Sequence, residues 1–406
     1  MIGRLALFAA FVALGVTAAA IPASLPAAEH SLGSAVLEAV PVLFAGLLIG
    51  VLVSGPAMRV MRSELVLVLG CTLQSGGLVA FALSPTPGLL VVGCGLAGFG
   101  FGLSEVSATL CAKQQAHRES AAISLSALTG AVAIAAACTP IVIVVASAVL
   151  EPRLMLIGVA VIPLATGALI YGKLHGQPRG GNGERAHRNK QGTNFRAYVT
   201  LAPFLLALPV YVGIETVFAG WSAVLPAALL RIDPVLAGLG TSAFWMLMAL
   251  GRYAAVVMTT RGAAIGNVAV WGSSVGAVSL FVAAALAAQA PELAIAAVAI
   301  AVIAIAPSYG IIAGLALDRL TDAAAPDVLG VFVACGAVGG AVIPAAILLL
   351  ARDPASGLTF AMCAGGLVAV AILMRMSPLF SVATSAQPSL PRRDQRHRLL
   401  RRMAPN

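Results

Sequence analysis

Two acidic residues, Glu105 and Glu215, stand inside long apolar runs where no soluble surface is available to hydrate them. An ionisable side chain at membrane depth is costly, so it persists where it faces a cavity or a partner and often marks a path for ions or solutes. A carboxyl taken out of water can also load and release a proton near neutral pH, which is acid–base chemistry without any nucleophile. Helical spacing gives each acid its neighbours. On one segment Tyr211, Glu215, Phe218 and Ser222 share a face; on the other Phe101, Glu105, Ala108 and Thr109 do. Aromatic planes beside a hydrogen-bonding acid suit a small polyol or sugar, which offers an apolar face and a rim of hydroxyls. Trp221, Trp245 and Tyr309 are further aromatic candidates. Glu38, nearer the end of its run, and Arg252 complete the charges found in apolar segments.

The elements that must position these residues follow from composition. The chain has 406 residues, 60% of them apolar and only 10% charged, whereas soluble domains carry about 25% charge. That excludes ordinary soluble enzymes, and the apolar fraction excludes disorder. Apolar runs of the ~20 residues needed to span a bilayer predict twelve helices, at 5–28, 34–57, 65–83, 88–112, 121–149, 154–172, 197–230, 235–260, 265–288, 292–317, 327–351 and 356–376. The expected fold is an all-α membrane protein: residues 1–172 as a first six-helix bundle, 173–196 as a basic linker, 197–376 as a second bundle, and 377–406 as a basic, disordered tail. The first segment, with Arg4 and Ala18-Ala19-Ala20, has the outline of a signal peptide; its pairing with helix 7 below reads it as a retained span.

The net charge of +9 could point to nucleic acid. With an N-terminus in the cytoplasm, however, all but three of the 24 basic residues, Arg153, Arg231 and Arg352, fall on the cytoplasmic side. The excess is therefore a topology signal, both termini and the linker are expected inside, and no nucleic-acid partner is expected. Six cysteines lie in apolar stretches without metal or disulfide spacing, and five histidines fall in hinges or tails. No metal, no cofactor and no catalytic set of nucleophile and base is expected.

The second half echoes the first. Leu14-Gly15-Val16 and Leu25-Pro26-Ala27-Ala28 return as Val212-Gly213-Ile214 and Leu225-Pro226-Ala227-Ala228, at offsets of 198 and 200 residues. Gly50 returns as Gly251 and Pro140 as Pro344. A common offset of half the chain is the mark of an internal repeat, and parallel six-helix repeats place a site between them at the midplane. Small residues such as Gly95, Gly98, Gly100 and Gly102 let neighbouring backbones approach closely. Charges at the cytoplasmic helix ends could form a gate, Arg59 with Asp327 and Arg261 or Arg252 with Glu119.

The chain resembles the major facilitator superfamily, and within it the fucose–proton symporter family and related sugar permeases. The residues carrying this are Gly100-Phe101-Gly102-Leu103-Ser104-Glu105, Tyr211-Val212-Gly213-Ile214-Glu215 with Gly220-Trp221, and Phe244-Trp245 with Gly251-Arg252. The resemblance implies a secondary transporter of the bacterial plasma membrane, monomeric in the lipid bilayer, that moves a small sugar-like or polar solute by alternating access with protons. Glu105 would match that family's helix 4 carboxylate. The chain departs from the family in having no acid between Leu5 and Ala28, and it has Arg59 where the superfamily loop carries an Asp. Efflux of a drug or secreted metabolite, or a receptor that keeps the fold without transport, are the other readings.

Overall fold

The computed structural model describes residues 3–115, 121–147, 149, 152–175, 195–317 and 325–382. The described residues are helical almost throughout. In chain order the helices are α1 (Arg4–Leu32), α2 (Ala39–Val60) after a 3-10 turn at Ser34–Glu38, α3 (Ser63–Leu83), α4 (Pro87–Gln115), α5 (Ala121–Ser147) and α6 (Pro152–His175). Then come α7 (Phe195–Gly220), α8 (Val224–Leu230), α9 (Pro234–Ala237), α10 (Leu239–Thr260), α11 (Ile265–Leu286), α12 (Pro291–Ile305), α13 (Ser308–Leu317), α14 (Ala325–Leu350) and α15 (Gly357–Val382). Eleven described spans are long and apolar enough to cross a membrane, and Ala334–Leu350 of α14 is a shorter apolar stretch that supplies part of a twelfth. The central linker and the tail lie largely outside the described residues.

Three of the expected spans are interrupted, that at 235–260 only by Gly238, between α9 and α10. The segment at 197–230 divides at Trp221–Ala223 into α7 and α8, and the segment at 292–317 divides at Pro307 into α12 and α13. A proline stands at each of these two breaks; it has no N–H to continue a ladder and fits best in the first turn of a helix. Pro226 occupies that first turn in α8, and Pro307 directly precedes α13. On the far side of the α8 turn, Asp233 caps α9, accepting from Val235 N and Leu236 N at 2.9 and 3.2 Å, with Pro234 at the first helical position.

The internal repeat is visible in which helices pack together. Within the first six, α3 lies on α4 and α6, α2 on α4, and α1 on α4, α5 and α6. In the second half, α11 lies on α12 and α15, α10 on α12, and α7 on α13, α14 and α15. Each pair in the first set has its counterpart six spans later. The two sets meet mainly along α2 with α14 and α5 with α10.

Glycines set how close the first set comes. A Cβ on Gly98 would run into the Leu43 carbonyl oxygen, one on Gly102 into that of Leu47, and one on Gly100 into the Gln74 backbone nitrogen. Polypeptide backbones thus touch along α2, α4 and α3, as small residues allow. Large apolar side chains such as Leu52, Val92, Val142, Ile162, Val256 and Val278 are turned outward, as expected of a surface solvated by lipid tails.

Candidate functional site

Between the two sets lies a cavity of about 290 Å³. Phe101 and Glu105 of α4 and Leu43 and Phe44 of α2 line it from the first set, and Glu215 and Thr216 of α7, Trp245 and Arg252 of α10 and Tyr309 of α13 from the second. Its polar chemistry is concentrated in few groups on apolar walls, the usual make-up of a small-molecule site.

Glu215 is held by a cation. Arg252 Nη2 lies 3.6 Å from Glu215 Oε1, and Arg252 Nε donates to the Ala306 carbonyl oxygen at 3.4 Å. That carbonyl sits at the α12–α13 break, where regular helix gives way beside Pro307. The approach is permitted by Gly251, at which a Cβ would meet the Ile303 carbonyl oxygen and Ala306. Residues 245 and 252 lie seven apart, two helical turns, so one face of α10 presents both Trp245 and Arg252 to the cavity. Tyr211, one turn before Glu215, is fully buried; its hydroxyl is within electrostatic reach of the carboxylate but completes no hydrogen bond of ordinary geometry. Glu105 has no ion-pair or hydrogen-bond partner among the described residues. Tyr309 stands within electrostatic reach of both acids.

Several expected site residues fall elsewhere. Phe218 and Ser222 border a separate apolar pocket between α7, α8, α10 and α12, and Ser222 is committed to the Ala219 carbonyl and to Thr241 at 2.8 Å. Ser222 lies past the end of α7, where a face extrapolated from Glu215 no longer points the same way; Phe218 is still within α7 but turns to this separate pocket. Trp221 itself is wholly buried with its indole N–H unpartnered. Ala108 is buried among α1, α3 and α5 side chains, and Thr109 is not in the cavity wall. Arg252, expected at a cytoplasmic gate, lies in the cavity wall, because depth along a helix does not give the direction a side chain takes. Arg59 and Arg261 are exposed at helix ends; Glu119 and the Asp327 side chain, their expected partners, are outside the described residues. Glu38 is exposed in the turn before α2.

A polar chain that starts in the cavity wall at Thr17 and runs behind it has no counterpart in the expectations. Thr17 of α1 donates to Gln74 Oε1 at 2.8 Å, and Gln74 Nε2 donates to Ser104 Oγ at 2.7 Å. All three side chains are fully buried, and Ser104 directly precedes Glu105. A lone Gln in an apolar helix was the available signal. A second cavity, of about 310 Å³, lies among α1, α3, α4, α5 and α6. Its Ser24, Ser31, Ser84 and Ser147 hydroxyls are each bonded to a carbonyl of their own helix, so it offers little recognition chemistry.

At the end of the molecule where α1 finishes and α2 starts, the two sets close on each other. Ser242 Oγ donates to the Ala137 carbonyl oxygen at 2.7 Å, Gly238 abuts Ala23 and Val144, and Gly220 abuts Val40.

Neither the family models nor the curated protein sequences give a match to this chain. Solved structures do. The chain is similar to the xylose transporter XylE from E. coli in a partially occluded inward-open conformation, with 15% identity and a TM-score of 0.71 over 92% of this chain and 97% of that one. It is similar to a peptide transporter, POT, with 14% identity and a TM-score of 0.75 over 93% and 94% of the two chains. A bacterial homologue of the human lysosomal transporter Spinster, inward-facing and occupied, matches at 13% identity and a TM-score of 0.65 over 94% and 96%. Across such low identities what is shared is architecture: two packed sets of six spans around a central cavity, the major facilitator fold.

Proposed function

We propose that the protein is a secondary transporter that moves a small polar solute, sugar-like or another polar metabolite, through the central cavity by alternating access coupled to protons. One observation carries the reading: Glu105 from the first set and Glu215 from the second line the same cavity, at the junction about which the sets would rock. Glu105, without a counterion, is the group that exchanges its proton with whichever side the cavity opens to. Glu215, tied to Arg252, senses what occupies the site. The lining fits a hydrogen-bonding solute, with Trp245, Phe101 and Phe44 as planar walls and Thr216 and Tyr309 as further polar groups.

The neighbours support this: one is the D-xylose–proton symporter and others are peptide transporters. With the termini in the cytoplasm, the closed end at Ser242 and Ala137 is the outer one, and the conformation is inward-facing. The reading is tested in proteoliposomes under an imposed pH gradient. Glu105→Gln should abolish gradient-driven accumulation of a transported solute while leaving solute exchange at equal pH, and Glu215→Gln should weaken both. Accumulation at the unmodified rate in both variants would sink the assignment.

A further inference from the structure

The charge arrangement of the cavity bears on what the solute carries, an inference that rests on the transport reading above. Arg252 is far from saturated. Its side chain is 47% exposed, against 19% for Glu215, and its only described partners are one carboxylate oxygen at 3.6 Å and one carbonyl at 3.4 Å. A guanidinium presents five N–H donors in a planar fork that matches a carboxylate bidentately at about 2.7–2.9 Å. The contact with Glu215 is much longer than that, so the fork faces the cavity with most of its donors unused. A neutral polyol would not require a cation at this place, since hydroxyls are satisfied by neutral groups. An arginine this free in an apolar-walled cavity is matched to an anion.

Glu215 has a second partner waiting. The buried, unpartnered Tyr211 hydroxyl is within electrostatic reach on its own helix. The other titratable groups about it are Arg252 on α10, Tyr309 on α13 and Glu105 on α4, and the described lining from α1, α2 and α14 adds none.

We infer that the central site takes a solute bearing one carboxylate, which binds the Arg252 fork in place of Glu215. On binding, Glu215 loses its counterion, takes up one proton and is retained by Tyr211. One negative charge and one proton enter together, so the charge of the cavity does not change. On release the proton leaves Glu215 and the Arg252 pair re-forms. At the Arg252–Glu215 pair the step is therefore one anion with one proton and electrically neutral; the proton that Glu105 exchanges comes in addition to it.

The probes are acids matched with their neutral amides: L-lactate with lactamide, and D-glucuronate with glucuronamide. Binding to the purified full chain is followed by tryptophan fluorescence and thermal shift at pH 6 and pH 8. At least one acid should bind about tenfold or more tighter than its amide, and tighter at pH 6 than at pH 8. Arg252→Gln should erase the preference for the acid and Arg252→Lys restore part of it. The comparison of acid with amide in the unmodified chain stands even if a variant folds poorly. Equal binding of acid and amide overturns the inference, as does an acid preference that survives Arg252→Gln, or no binding by either acid. Proteoliposome flux separates the two readings. An acid that binds but is never moved defeats transport and leaves the carboxylate site standing; movement of a neutral solute with no acid preference does the reverse.

Discussion

Gln74 stands between Thr17 and Ser104, accepting from one at 2.8 Å and donating to the other at 2.7 Å, so that a single amide ties α1, α3 and α4 together. Because all three side chains are buried, neither hydroxyl has water to fall back on. Gln74→Ala should leave both without their amide partner and lower stability by about 1–3 kcal/mol. Thermal unfolding of the purified protein checks this; an unchanged midpoint would mean the chain contributes nothing.

The contact of Gly220 with Val40 joins the two sets at their closed end. A Cβ built on Gly220 lies 3.2 Å from Val40 Cβ, near the ~3.5–4.5 Å separation of a disulfide. In a background with Cys138 replaced, since it is exposed, the Val40→Cys, Gly220→Cys pair should cross-link under oxidation. Solute exchange should stop and return on reduction. Full activity of the cross-linked protein would show that this end does not need to open.

Glycines along the chain should not respond alike to an added methyl. Gly100→Ala pushes a Cβ onto the α3 backbone, an overpacking worth about 1–3 kcal/mol of destabilisation. Gly158, in α6, has nothing within 4 Å of the same position, and Gly158→Ala should stabilise by about 0.5–1 kcal/mol. Comparing the two unfolding midpoints tests both.

Arg231 ends α8 in the left-handed region, at φ 54° and ψ 34°. A side chain there costs about 1–2 kcal/mol, part of which glycine gives back through the greater freedom of the unfolded chain. Arg231→Gly should therefore raise stability by a net ~0.5–1 kcal/mol, read again by thermal unfolding. A fall would mean that the guanidinium makes a contribution the backbone strain conceals.

Where sequence and structure agree, the reason is that membrane depth leaves ionisable groups few. Glu105 and Glu215 stand out from the chain because so little else in their helices is polar, and both line the cavity. The twelve apolar runs and the fold could be read from length, since a bilayer fixes how long a span must be. Direction was harder. Depth along the helix makes Arg252 an end charge, whereas Gly251 lets α10 approach α12, and the guanidinium reaches Ala306 and Glu215. Ser222 shares a face with Glu215 only if the helix continues through Trp221, and it does not; Phe218, one turn on from Glu215 in α7, borders the neighbouring pocket instead. Gln74 meets Thr17 and Ser104 across three helices, a relation that no spacing along one segment contains.

The glycine contacts of α4 with α2 and α3 have a mechanical side. Where backbone lies directly on backbone, no layer of side chains remains to change rotamer and absorb a displacement. At these points α2, α3 and α4 have little side-chain freedom with which to yield separately. On the transport reading, rearrangement between the sets would fall where side chain meets side chain, along α2 with α14 and α5 with α10, rather than within the first six spans.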